Sequence, residues 1–172
     1  MNDFKIKLGA INGGENCFSF EIKDQFFEEF TLSDVEHANI TATALLDKEG
    51  NRLALKLTID GEINKLPCDI CTDEISVDIT AETKVIIKTT DEDLVSTDEI
   101  FYVKTSENVI DLKQLIFESI ILNLPKKRQH DINEDGSRKC NKEMITLLDK
   151  YRVVDEKSSD PRWDALKKLK IK

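Results

Sequence analysis

Apolar and polar residues alternate along three long stretches in the middle of the chain. Ile40, Ala42, Ala44 and Leu46 take even positions; Leu53, Leu55, Leu57, Ile59 and Ile63 take odd ones. Ile75, Val77, Ile79, Ala81, Thr83, Val85 and Ile87 alternate again. A period of two sends successive side chains to opposite faces, so each stretch predicts a half-buried β-strand. The polar segment 47–52, with Gly50-Asn51, predicts a turn joining the first two strands. The segment 66–74, LPCDICTDE, joins the second to the third. Together these form an antiparallel meander whose strands, about ten residues each, are long enough to curl into a barrel-like sheet.

Upstream, Phe4, Ile6 and Leu8 alternate with polar residues, and so do Phe18, Phe20 and Ile22. Asn12-Gly13-Gly14 between them signals a turn, predicting that these two strands pair as a hairpin. Asp24 is placed to cap a short helix whose Phe26, Phe27 and Phe30 form a lid over the sheet. Downstream of the meander, an acidic loop holds Asp91, Glu92, Asp93, Asp98 and Glu99, followed by a short strand over residues 100–103. Asp111 then reads as a helix cap, with Gln114 completing a capping box. The helix that follows, from Leu112 to Leu124, is apolar almost all round, which predicts burial against the sheet, and Pro125 ends it. Beyond Pro125 the chain changes character. A basic run at 126–130 leads into a loop, DINEDGSRK, and Cys140. Asn141 caps a predicted helix bearing Met144, Leu147, Leu148 and Tyr151 on one face. Residues 155–159 read as a linker, and Asp160-Pro161 starts a last helix with Trp163, Leu166 and Leu169 in a stripe. The predicted class is α+β: a β-meander domain with its packing helix over 1–125, and a basic helical tail over 126–172.

Charge sharpens this division. The net charge is −9. Residues 1–110 carry −13 and residues 111–172 carry +4. An acidic body argues against coating by nucleic acid, whose phosphates need Lys and Arg. The basic tail offers Lys126, Lys127, Arg128, Arg162, Lys167, Lys168 and Lys170 as candidate contacts to RNA or a partner; the plainer alternative is a solvated tail. No run of eighteen apolar residues predicts a membrane span, and no basic-then-apolar leader opens the chain. A cytoplasmic protein with reduced or metal-bound thiols is the expectation.

The four cysteines are the most specific chemistry present. Cys68 and Cys71 form a C-x-x-C pair that reads as half a zinc site, a redox dithiol or two small buried residues. A redox pair needs its first thiolate at a helix N-terminus, yet the residues after Cys71 follow strand periodicity. Zinc takes four N or S ligands in a tetrahedron. The residues available to complete it are Cys17, His37, His130 and Cys140. His130 and Cys140 bracket one loop after the apolar helix, and with Cys68 and Cys71 they make a Cys3His set that would pin the tail to the meander. The alternative places His130 on the surface and Cys140 in the core. Cys17, inside an alternating strand, reads as plain core, and His37 as a surface loop residue. No phosphate-binding glycine motif is present, two histidines leave little for a Ser-His-Asp arrangement, and no pair of carboxylates stands out. An enzyme is not expected, nor a small-molecule substrate.

In order, the chain carries Cys68-Asp69-Ile70-Cys71 after a β meander and Ile110-Asp111-Leu112 opening an apolar helix. That helix ends in Leu122-Asn123-Leu124-Pro125; His130, Cys140 and DPRWDALKKL at 160–169 follow. This set resembles the YceD family, the large-ribosomal-RNA-subunit accumulation proteins of bacteria and plastids. The resemblance implies a non-enzymatic ribosome-biogenesis factor whose partner is ribosomal RNA, a ribosomal protein or an assembly intermediate. The family's C-x-x-C usually reads C-x-R-C, and here Ile70 stands in place of that Arg. The His-then-Cys arrangement matches the family's sparser branch and is consistent with structural zinc. A zinc-stabilised protein-interaction module without RNA contact is the alternative expectation.

Overall fold

The computed structural model describes residues 4–30 and 35–152. The predicted linker at 155–159, the last helix, and Arg162, Lys167, Lys168 and Lys170 lie outside the described residues.

The three alternating stretches form β3 (His37–Glu49), β4 (Arg52–Pro67) and β5 (Glu74–Thr90). They pair antiparallel in the register their apolar positions demand: Ala42 opposite Ile59, Ala44 opposite Leu57, and Ile59 opposite Ala81. The even positions of β3 and the odd positions of β4 and β5 therefore share one buried face. A slip of one residue would turn all of them to solvent. Each fully buried Leu or Ile contributes roughly 1.5–3 kcal/mol.

Two further strands extend this sheet. β2 (Gly14–Ile22) pairs antiparallel with β3. β6 (Ile100–Lys104) pairs in parallel with the far end of β5, the acidic loop carrying the chain back between them. The order is β2-β3-β4-β5-β6, and β2 and β6 are not paired with each other. The sheet is open, with no closed barrel among the described residues. β1 (Lys5–Lys7) does not join β2 in a hairpin; it pairs with β7 (Val109–Asp111), Ile6 opposite Ile110. The Asn12-Gly13-Gly14 segment folds on itself instead. Asn16 accepts from the Asn12 N–H through Oδ1, and its Nδ2 donates to the carbonyls of Asn12 and Gly14. Burial of Ile6 and Ile110 together fixes the new pairing.

The buried face of the sheet is covered by α2 (Lys113–Leu122). Ile116 and Ile120 enter the core, and buried Ser119 is satisfied by Thr83 Oγ1 of β5 at 3.1 Å. Burial is not complete: Leu122 is 83 % exposed. Asp111 is not the helix cap, because it is the last residue of β7 and Leu112 takes the cap position. Its carboxylate still accepts from the Lys113 N–H, while Gln114 donates to Glu118 rather than closing a box. The short α1 (Asp24–Phe27) closes one end of the core. Its Phe26 and Phe27, with Phe30 stacked on Phe117 at a ring-centroid distance of 3.8 Å, form the expected aromatic lid. Asp24 is itself the first helical residue rather than the cap. It accepts from the Ala38 N–H and bonds His37 Nδ1, tying α1 to the start of β3. That hydrogen bond from Ala38, then the one from His37, lowers its carboxyl pKa. His37 is thus a half-buried strand residue, not a loop residue. Cys17 is exposed, because β2 turns its even residues, Phe18, Phe20 and Ile22, inward.

Candidate metal centre

The turn that holds Cys68 and Cys71 is prepared several residues earlier. Between Ile63 and Leu66 the register of β4 against β5 shifts, with Lys65 at φ 58°. One extra residue in a strand reverses the facing of everything after it. The buried set therefore changes from odd positions, ending at Ile63, to even ones, Leu66 in β4 and Cys68 just beyond it. Without this bulge Cys68 would point to solvent. The turn is then closed by hydrogen bonds from the Cys68 N–H to the Asp73 carbonyl and from the Thr72 N–H to the Cys68 carbonyl, both 2.9 Å. The Ile70 N–H points at Cys68 Sγ, 3.5 Å away.

The arm after α2 is fastened to this turn. Asp69 and Arg128 exchange two hydrogen bonds of 2.7 Å: the Asp69 N–H donates to the Arg128 carbonyl, and the Arg128 N–H to the Asp69 carboxylate. Two residues on, His130 Nδ1 lies 3.5 Å from Cys71 Sγ. The loop after His130 is a small hairpin. Ile132 bridges Arg138, the Asn133 N–H donates to the Ser137 carbonyl, and Gly136 turns at φ 80°. The hairpin returns Cys140 to the same point, its Sγ 3.6 Å from His130 Nδ1 and 3.9 Å from Cys68 Sγ. Directly after it, α3 (Lys142–Tyr151) begins, its first turn capped by the Asn141 side chain, which accepts from the Glu143 N–H. Asn141→Ala should lower stability by about 1 kcal/mol, the usual cost of a lost cap, read as a drop in the thermal midpoint. The predicted stripe on α3 is largely exposed rather than packed: Leu147, Leu148 and Tyr151 all face solvent among the described residues.

Cys68, Cys71, His130 and Cys140 thus converge, one ligand atom from each lying within 4.8 Å of the others. All three cysteines are buried and the histidine is half-buried. A zinc ion with sulfur at about 2.3 Å and nitrogen at about 2.0 Å in a tetrahedron implies S···S edges of about 3.8 Å and N···S edges of about 3.5 Å. The separations of 3.9, 3.5 and 3.6 Å fit that size. The protonation balance also suits a metal. Burial pushes the Cys68 thiol up, but the N–H groups of Cys71, Ile70 and His130 and the His130 ring outweigh it and bring it to about 6. Burial, reinforced by the neighbouring sulfurs of Cys68 and Cys71, pushes Cys140 up to about 11. The lowered Cys68 favours the thiolate form a metal binds, and a cation would displace the proton that Cys140 holds. The flanking strands leave the pair far from the helix-terminus setting of a redox dithiol.

Of the basic residues singled out in the sequence, Lys126 and Lys127 are exposed beside this clasp. Arg128 is half-buried, its backbone engaged with Asp69. The sequence reading missed the bulge that aims Cys68, although the parity change from Ile63 to Leu66 carried its signal. It also missed Asp69 as the residue that seats the arm.

A C-x-x-C turn at the end of a β meander, joined by a His and a Cys from a later arm, defines a candidate metal-binding cluster. The family model of the large ribosomal RNA subunit accumulation protein YceD matches residues 55–170, which include all four converging residues. The chain belongs to the YceD family. No curated protein and no solved structure matches it. No described helix is long and apolar enough to cross a membrane.

Proposed function

We propose that the chain is a non-enzymatic factor of cytoplasmic ribosome biogenesis. It supports synthesis, processing or accumulation of large-subunit ribosomal RNA by binding that RNA, a ribosomal protein or an assembly intermediate. The family's name supplies the outcome, and the clasp supports the manner. Four protein ligands fill a tetrahedron and leave no open position for substrate, which is the pattern of a structural rather than a catalytic zinc site. Zinc held by Cys68, Cys71, His130 and Cys140 would fix the arm, 126–172, against the body, 1–125. Lys126, Lys127 and Arg128 beside the clasp would then contact phosphates, and Arg162, Lys167, Lys168 and Lys170, later in the sequence, are further candidate contacts.

Depleting the protein tests the outcome: the ratio of large- to small-subunit ribosomal RNA should fall, and an unchanged ratio rejects the proposal. Salt tests the manner. RNA association should weaken steeply and linearly on a logarithmic salt scale, and charge reversal at Lys126 and Lys127 should flatten the slope. The acidic body favours a second reading, a zinc-stabilised protein-interaction module without RNA contact. In that case binding to ribosomal particles survives RNA digestion and the slope is shallow.

A further inference from the structure

β5 is longer than its neighbour on one side. β6 pairs with it only from Ile86 to Thr90, so residues 74–85 have no strand beside them among the described residues. The direction of the free hydrogen bonds is set by the paired end. The Ile86 N–H donates toward β6, to the Glu99 carbonyl, and the Thr90 carbonyl accepts there from Thr105. Even-numbered residues of β5 thus turn their backbone away from β4, and Asp78, Thr80, Glu82 and Lys84 carry theirs along the open edge. Their side chains are all exposed. A long, regular, uncovered edge is a template for another strand, and proteins that do not use one usually blunt it. β5 has no proline over this length and pairs continuously with β4 on its other side beyond the bulge.

The chemistry along the edge selects the occupant. Glu82 is neutralised by Lys56 and Lys84, which hold its carboxyl at about 2. Toward the Glu74 end acidic side chains predominate, since Lys65 Nζ turns to His37. Asp78 on β5 and Asp60 and Glu62 on β4 are exposed, and none of them is ion-paired among the described residues. This surface repels RNA. It also disfavours a second copy of the chain, because pairing two such edges would bring together two acidic surfaces carrying Asp60, Glu62 and Asp78. The geometry points to a docking site for an extended basic segment of a partner protein, added as a sixth strand on the open edge of β5 with Lys or Arg at alternate positions facing Asp78 and Glu62. This goes beyond the ribosomal reading and does not depend on it.

The test uses the full chain and a fluorescein-labelled peptide of about eight alternating Lys and Val residues, long enough to cover about two thirds of the free edge. Titration by anisotropy is combined with amide hydrogen exchange by NMR. The Lys-Val peptide should bind and slow exchange at Asp78, Thr80, Glu82 and Lys84, which exchange quickly in the free chain. An alternating Glu-Val peptide should not bind. Asp78→Lys combined with Glu62→Lys should weaken binding at least tenfold. Thr80→Pro should abolish it at no cost to the ladder with β4, since that amide faces outward; should this variant fail to fold, the surface charge reversals still decide. Equal binding of both peptides, binding without slowed exchange at these four amides, or no binding would each overturn the proposal. So would amides already protected in the free chain, with sedimentation showing whether a second copy covers them.

Discussion

Cys68→Ser is expected to abolish stoichiometric zinc binding and to release the arm from residue 128 onward while the β3-β4-β5 meander stays paired. Cys68 is the most buried of the four converging residues, 1 % exposed, and its sulfur faces Cys140 across the two parts of the chain. A serine hydroxyl there is shorter, binds zinc poorly and leaves two buried thiols without their cation. Loss of a structural metal belongs to the few single changes that cost more than about 4 kcal/mol. Elemental analysis should fall from one equivalent of zinc to near none. Limited proteolysis should cut first within 126–141, ahead of any site in the sheet. Retention of a full equivalent of zinc, or cleavage that begins in the meander, would count against the clasp. Chelation of the parent protein should reproduce the phenotype.

pH gives the same centre a second signature in the metal-free chain. An unfolded cysteine titrates near about 8.5. Cys68 is held below that value, at about 6, so its contribution to stability is complete above about 8.5 and is lost as pH falls through 6. Cys140 is held above it, at about 11, so its contribution is complete below about 8.5 and is lost as pH rises through 11. For these two groups the metal-free chain is most stable between the two limits. Zinc uptake, which must expel the Cys140 proton, strengthens with rising pH and releases acid.

Gly61→Ala should be the most damaging change away from the cysteines. Gly61 lies between Ile40 of β3 and Ile79 of β5 in the middle of the sheet. A Cβ built there would meet the Asn39 carbonyl oxygen at 2.4 Å and Ile40 Cα at 2.6 Å. Both are backbone atoms, so no side chain can swing aside and β3 itself must move. Ile40, Ala42 and Ala44 follow that movement out of a core in which they are almost wholly buried. The expected loss is about 3 kcal/mol, the upper end of the range for overpacked, rigid sites. It would be measured as a lower urea midpoint with an unchanged slope. A loss below about 1 kcal/mol would show that the two strands separate there easily.

Much of this architecture is written in parity. Ile40 to Leu46, Leu53 to Ile63 and Ile75 to Ile87 announce both their faces and their order, since short turns leave an antiparallel meander as the natural pairing. The convergence of Cys68, Cys71, His130 and Cys140 was legible for a different reason: the chain has only four cysteines and two histidines, and His130 and Cys140 lie on one loop. What parity does not specify is which neighbour a short strand takes. The segment around Ile6 has one apolar face, and that face is satisfied as well by Ile110 as by the β2 strand; a contact between residues about a hundred positions apart leaves no local trace. The parallel return of β6 is equally silent, because the acidic loop before it fixes no direction. Cys17 was misplaced by treating a small thiol as core when its neighbours Phe18 and Phe20 had already claimed the inner face. Asp111 and Asp24 have the composition of helix caps, but β7 pairing and the Ala38 amide engage them first.

The spacing of the clasp sets an order of events. Cys71 and His130 are 59 positions apart, and Cys68 and Cys140 are 72 apart. Everything between them, namely β5, β6, β7 and α2, must be made before His130 and Cys140 can reach Cys71 and Cys68. A growing chain therefore lacks the complete set of four until residue 140 of 172 has been made, and metal capture there would be a late step. Zinc limitation would then arrest maturation of the arm rather than formation of the sheet, coupling the supply of competent factor to the cell's metal status.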